Sequence, residues 1–326
     1  LILCSGWHFY FGTNKMNRKQ QLSATSGGLV KDIIVFLIVL LLSCGFLVSN
    51  ARQISTKQPA IGNEVSSLLA FKQSSVDADP NGFLTDWSLT SSSPCSWAGV
   101  SCSGDGKVTQ LNLVNAGLRG HLHISDLMAL PRLAQLHFSG NHFYGNLSST
   151  VQSCSFEILD LSANDLSEPL AVDSLLQSCN RLSLLNLSRN SIPSGNIKFG
   201  SSLLQLHLAR NKFSDLSLLS YSLSNCQNLN LLNLSDNGLT GKLNSSLSSC
   251  RSLSVLDLSC NNFSGDIPAT LIAAAPVSLK ILDLSHNNLT GDLVNLGSGT
   301  CSNLTLLNLS FNSNRIPFWF DQLPEA

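Results

Sequence analysis

Leu253-Ser-Val-Leu-Asp-Leu-Ser-Cys-Asn261 and Leu279-Lys-Ile-Leu-Asp-Leu-Ser-His-Asn287 repeat one frame, Leu-x-x-Leu-x-Leu-x-x-Asn, 26 residues apart. The frame recurs nine times, led by Val108, Leu133, Phe156, Leu182, Leu203, Leu229, Leu253, Leu279 and Leu304. The steps run from 21 residues (Leu182 to Leu203) to 26 (Leu203 to Leu229). Self-similarity at such a period makes each copy one structural unit that buries its apolar face against its neighbours. Triplets such as Leu232-Asn233-Leu234 read as short strands whose alternate side chains point to opposite sides, apolar ones into the coil. Stacked copies then form a parallel sheet, and eight steps of about 4.8 Å give an arc of roughly 40 Å.

The residues between the leucines line that arc: Asn112, His137, Asp160, Asn186, His207, Asn233, Asp257, Asp283 and Asn308. This polar column is the expected binding face. His137 and His207 read as part of a solvated polar face, with pH-tuned binding as the lesser alternative. The asparagines that close the frame, Asn141, Asn164, Asn190, Asn211, Asn237, Asn261, Asn287 and Asn312, are expected to satisfy buried backbone groups at the turn. Ala116 stands there in the first copy, as suits a terminal repeat sheltered by a cap.

With 43% hydrophobic and 12% charged residues among 326, the chain has material for a core. A net charge of −1 excludes bulk attraction to nucleic acid or anionic membrane. Residues 33–48 are a nearly unbroken apolar run behind Arg18, Lys19 and Lys31, shorter than the ~20 residues of a membrane span. They read as the core of a signal peptide cleaved after Ala51, with an uncleaved anchor as the rival. Met16 reads as the natural start, so residues 1–15 are expected to be translated leader outside the fold, with no function for Trp7, Phe9, Tyr10 or Phe11.

Val65, Leu68 and Leu69 have helical spacing, and Asp79-Pro-Asn-Gly82 ends any helix. The division expected is 1–15 leader, 16–51 signal peptide, 52–63 linker, 64–107 cap, 108–312 nine repeats and 313–326 an atypical truncated tail. Leu68-Leu-Ala-Phe-Lys72, Asp79-Pro-Asn-Gly82, Trp87 and Pro94-Cys-Ser-Trp-Ala-Gly-Val-Ser-Cys102 resemble the amino-terminal cap of plant leucine-rich-repeat receptors. That resemblance implies an α/β leucine-rich-repeat solenoid with the parallel sheet on its concave face, a helical cap, and a Cys95–Cys102 disulfide. A zinc site at this pair would lack two further ligands nearby.

Leu239-Thr-Gly-Lys-Leu243, Phe263-Ser-Gly-Asp-Ile-Pro268 and Leu289-Thr-Gly-Asp-Leu293 resemble the plant-specific repeat extension, which implies a second short sheet. Ile192-Pro-Ser-Gly and Phe213-Ser-Asp-Leu depart from it, so the twist there is open. Cys154, Cys179, Cys226, Cys250 and Cys301 recur two or three residues before a leader and are expected as buried thiols by repetition, with bridging between neighbours as the alternative.

Eight Asn-x-Ser/Thr acceptors, at Asn146, Asn186, Asn233, Asn244, Asn262, Asn288, Asn303 and Asn308, agree with secretion. The three on strands, Asn186, Asn233 and Asn308, are expected to be glycosylated less often than loop sites. His121-x-His123 is weak evidence for a metal. No phosphate-cradling loop, activated nucleophile or carboxylate pair stands out, so no catalysis, cofactor or metal is expected.

The cap and the Leu-Leu-Asn-Leu-Ser and Leu-Asp-Leu-Ser strands resemble the brassinosteroid receptor and its receptor-like paralogues from about Glu64 to Asn312. The resemblance implies the extracellular region of a plasma-membrane receptor kinase, binding a protein or peptide ligand and a co-receptor kinase. No residue of the family's steroid pocket can be carried over, so steroid binding is not expected in these repeats. The alternative is a secreted defence protein similar to the polygalacturonase inhibitors. An intracellular adaptor conflicts with the signal peptide and sequons together.

Overall fold

The computed structural model describes residues 8–10, 63–90, 93–145, 147, 154–171, 173–193, 195–196, 202–215, 226–243, 250–267, 278–291 and 304–313. All of them belong to one compact unit. The signal region, the tail beyond 313, Cys301, Asn146, Asn244 and Asn303 lie outside the described residues.

In chain order the elements begin with β1 (His8–Tyr10), α1 (Asn63–Ser75), a short 3-10 turn at Pro94–Ser96, β2 (Val100–Cys102), β3 (Val108–Asn112) and β4 (Arg119–His121). There follow α2 (Ser125–Met128), β5 (Gln135–His137), β6 (His142–Tyr144), β7 (Ile158–Asp160), β8 (Leu170–Ala171), α3 (Asp173–Ser178), β9 (Leu184–Asn186) and β10 (Gly195–Asn196). The last are β11 (Gln205–His207), β12 (Leu231–Asn233), β13 (Thr240–Lys242), β14 (Val255–Asp257), β15 (Asn262–Asp266), β16 (Ile281–Asp283), β17 (Asn288–Thr290) and β18 (Leu306–Asn308).

The main sheet runs β2-β3-β5-β7-β9-β11-β12-β14-β16-β18-β1, one strand per repeat between β3 and β18, with every pair parallel except β2 with β3. Equivalent frame positions face each other throughout, as in Leu232 opposite Leu256 and Leu282 opposite Leu307. The register is fixed because a one-residue slip would turn the central leucine outward. Leader and frame leucines fill the coil: Leu253, Leu256 and Leu258 are each at most 1% exposed.

The cap closes the amino-terminal end. Val65, Leu68 and Phe71 of α1 are buried. The Phe71 ring lies 5.4 Å from Phe138 and 6.4 Å from Phe143, so the helix reaches the second repeat. Lys72 Nζ donates to the carbonyls of Leu84 (2.6 Å) and Trp87 (3.0 Å). Trp87 stacks on Trp97 at 5.5 Å and donates Nε1–H to the Ala98 carbonyl. The Asp79 carboxylate accepts the Phe83 and Leu84 N–H groups, which fixes the predicted turn. Asn81 Nδ2 donates to the Ala116 carbonyl at 2.9 Å, so the cap reaches the one repeat turn that lacks its own asparagine. The disulfide joins Cys95 to Cys102.

Three readings change. Cys154–Cys179 and Cys226–Cys250 are disulfides, not buried thiols, each with Cα atoms 4.8 Å apart. The solenoid stacks equivalent positions at the inter-strand spacing, which falls inside the range a disulfide spans. The leader segment His8–Tyr10 also does not stay outside the fold. It pairs in parallel with β18, Phe9 opposite Leu307, because an edge strand offers unpaired N–H and C=O groups. Finally, the second sheet exists but in three pieces, β4-β6, β8-β10 and β13-β15-β17. One break separates β6 from β8, between the second and third copies, and the other separates β10 from β13, where a single Asp215–Thr240 bridge remains; the atypical fourth copy itself supplies β10. No helix among the described residues is long and apolar enough to cross a membrane.

Candidate ligand-binding face

Past the first copy, where Ala116 stands, each turn after a repeat strand is held by its asparagine. Asn261 Nδ2 donates to the carbonyls of Leu234 in the preceding coil (3.0 Å) and of Leu258 and Ser259 in its own (3.1 Å each). Its Oδ1 accepts the Leu239 N–H of the preceding coil at 3.1 Å. The seven other ladder asparagines make the same set of contacts, from Asn141 with Leu113, Phe138 and Leu118 to Asn312 with Leu284, Leu309 and Leu289. Asn141 and Asn164 are buried outright. A side chain that satisfies carbonyls of two coils and an N–H of one fixes coil upon coil, so the inner face is rigid.

The predicted polar column lies on that face, half-buried along the strands. Seven of its members have a second task that sequence reading missed. Asn112, Asp160, Asn186, Asn233, Asp257, Asp283 and Asn308 each accept, through Oδ1, the backbone N–H of the residue two positions on, at 2.9–3.3 Å. In all but Asn112 and Asn186 that residue is a serine whose hydroxyl donates to the same oxygen at 2.6–2.8 Å. Asn308 Nδ2 also donates to Asp283 Oδ2 at 2.9 Å across coils. These side chains are positioned, and outside the Asp283–Asn308 pair this orients one carboxylate oxygen or one amide edge toward a ligand.

His137 and His207 break the Asx pattern and sit 3.5 Å from Gln135 and Gln205, their partners in two identical Gln-Leu-His strands. Burial pushes His207 below the usual histidine range, partly opposed by the Asp160 charge. Burial thus favours the neutral imidazole over the cation.

Two further columns flank the expected one. The residue before each central leucine points to the same side as the residue after it, because side chains alternate along a strand. This adds Ile158, Leu184, Leu231, Val255, Ile281 and Leu306, an apolar stripe interrupted by Gln205. The strand period alone could have found it. The residue before each ladder asparagine forms a ridge in left-handed backbone, with φ from 53° to 57° at Arg189, Arg210, Asp236, Cys260, His286 and Phe311. Arg210 Nε pairs with Asp236 Oδ2 at 3.1 Å, and His286 stacks on Phe311 at 4.1 Å. Cys260 is a free exposed cysteine whose thiol is pushed up by burial and by Asp236, Asp257 and Asp283.

His121 and His123 lie away from this face, beside the cap, with Nδ1 and Nε2 3.0 Å apart. Among the described residues no group of three or more His, Cys, Asp or Glu side chains could hold a metal.

A stack of capped parallel coils, locked by an asparagine ladder and presenting polar and apolar columns on one rigid sheet, defines a leucine-rich-repeat binding scaffold. The leucine-rich-repeat amino-terminal domain matches residues 61–103, and the leucine-rich repeat matches 252–273 and 278–298. The fold is therefore a leucine-rich-repeat solenoid, and the relatives that the chain matches include plant receptor kinases of the brassinosteroid-receptor kind. It is 41% identical over 260 residues to a brassinosteroid leucine-rich-repeat receptor kinase of Oryza sativa subsp. japonica, covering 78% of this chain and 21% of that protein. Among solved structures it resembles the ectodomain of the Arabidopsis receptor kinase HAESA in complex with an extended IDA peptide hormone (TM-score 0.55, 25% identity, 78% of this chain and 50% of that one). It also resembles a plant ice-binding protein (TM-score 0.56, 22% identity, 78% and 87%), a likeness of fold alone.

Proposed function

We propose that the chain is the extracellular ligand- and co-receptor-binding region of a plant leucine-rich-repeat receptor kinase of the brassinosteroid-receptor kind. The observation that carries this reading is the 41% identity to such a kinase over most of the capped solenoid. The matched regions are ectodomain, so the serine/threonine kinase activity of the implied parent would lie elsewhere in that parent. The ligand class is a protein or peptide, laid along the inner face, where an apolar stripe runs beside oriented polar groups. Such a face suits an extended chain whose alternate side chains meet apolar and polar columns in turn. No steroid pocket is assigned to these repeats.

Secretion is tested by expressing the full chain in plant cells and separating cytosol from secretory compartments. Recovery from the secretory pathway with its three disulfides formed is expected. A cytosolic chain with reduced cysteines would contradict the extracellular reading, since disulfides persist in oxidising compartments.

A further inference from the structure

The five Asn-x-Ser/Thr acceptors among the described residues fall into two structural classes. Asn262 and Asn288 are not loop sites. They open the second-sheet strands β15 and β17, are exposed, and are followed by buried Phe263 and Leu289. Strand alternation therefore sends the asparagine and the Ser264 or Thr290 side chain to the same outer side, where Thr290 Oγ1 donates to Asp266 Oδ1 at 3.1 Å and Ser313 Oγ donates to Asn288 Oδ1 at 3.4 Å. The two strands are neighbours, with Ser264 opposite Asn288, so the two asparagines stand one strand apart on one outer flank.

Asn186, Asn233 and Asn308 occupy the inner sheet, half-buried, with Oδ1 bound to the residue that completes the acceptor. In Asn233 and Asn308 the acceptor's own serine hydroxyl donates to that same oxygen; Thr290 of the outer pair is also bonded, to Asp266, so it is the half-buried asparagine itself that sets the inner class apart. A sugar on Nδ2 there would lie across strands about 4.8 Å away on either side. At Asn308 it would also remove a hydrogen from the amide that donates to Asp283.

We propose that Asn262 and Asn288 are the glycosylated pair, and that their glycans screen the β13-β15-β17 flank while the three inner acceptors stay bare. This rests on the extracellular reading above. In the transfer, asparagine Nδ2 bonds to the anomeric carbon of an oligosaccharide carried on a lipid diphosphate. The bond from that carbon to the phosphate oxygen breaks, its electron pair leaves with the lipid diphosphate, and the displaced amide proton goes to a base of the transferase. The consequence is an assignment of sides. Bulky, hydrated sugar on the outer flank excludes a docking protein there and leaves the inner face open to a ligand.

The test is glycopeptide mapping of the full chain preceded by a heterologous signal sequence, so that entry into the secretory pathway does not depend on the native leader. Failure of the native leader would then count against the extracellular reading, not against this assignment. Asn262 and Asn288 are expected to be occupied in most molecules and Asn186, Asn233 and Asn308 in few. The double variant Asn262→Gln with Asn288→Gln should lose a gel-mobility step of two glycans, whereas the triple variant of the inner asparagines to Gln should lose none. Inner occupancy equal to or above outer occupancy, or five bare acceptors, overturns the assignment.

Discussion

Asn261 shows how much one side chain does in this architecture. Replacing it with Ala removes three donated bonds and strands the Leu239 N–H. Leaving such groups unpaired costs about 2–4 kcal/mol, which a lowered denaturant midpoint at unchanged m-value would register. The ladder was legible because the asparagine recurs at one frame position. Its backbone consequence was not, since the left-handed residue before it varies from Ala163 to Phe311, with a glycine to mark it only at Gly140. Only the ladder's constraint on both flanks holds such residues there, at about 1–2 kcal/mol each. Accordingly Ala163→Val should destabilise by about that amount, because a β-branched side chain crowds this conformation further, while Ala163→Gly should not. His207 gives a pH signature of definite sign. Its folded pKa lies below the unfolded one, so the folded state gives up a proton that the unfolded chain keeps. Stability is then full above the unfolded value, near ~6.5, and is lost as pH falls through the folded value. Equilibrium unfolding across that window should show the fall in the parent chain and a flatter profile in His207→Gln.

At the scale of elements, the cysteine column corrects a reading that treated repetition and pairing as alternatives. Residues at one frame position in successive coils stack at the strand spacing, so a repeated cysteine is a paired cysteine whenever both coils carry it. By the chain-entropy relation each bridge, closing 24 or 25 residues, contributes about 3 kcal/mol. Cys226→Ser with Cys250→Ser should lower stability by roughly that amount, and thiol labelling of the parent should find Cys260 free. Pairing depends on which coils are adjacent in space, which the repeat pattern supplies only after its register is trusted. The break at the fifth copy was legible, because Phe213-Ser-Asp215 lacks the glycine that the regular extension uses, whereas Ile192-Pro-Ser-Gly195 has one a position later and still forms β10. The tight contact between cap and second sheet was not. A Cβ at Gly120 would stand 2.2 Å from the Ser75 carbonyl oxygen and 2.8 Å from the Asp77 nitrogen. Both are backbone atoms that cannot swing aside, so Gly120→Ala should displace α1 and raise hydrogen exchange across Asn63–Ser75.

At the scale of the whole molecule, fold and cap followed from frame, spacing and a few aromatic and cysteine positions. The binding face was legible only in part. Reading the residues between leucines gave the polar column, while the apolar stripe and the ridge needed the strand geometry that places three columns on one surface. That surface is rigid by construction, so ligand selection rests on side-chain identity rather than on loop closure. The chain spans about a fifth of the receptor kinase to which it is 41% identical, and the receptor reading concerns what that parent does with such a face. The most direct test is to sequence the mature transcript across the codons that follow Ala326. The account predicts an open frame running into further repeats, a membrane span and a kinase. An in-frame stop directly after Ala326 would contradict it and leave a secreted binding protein in its place.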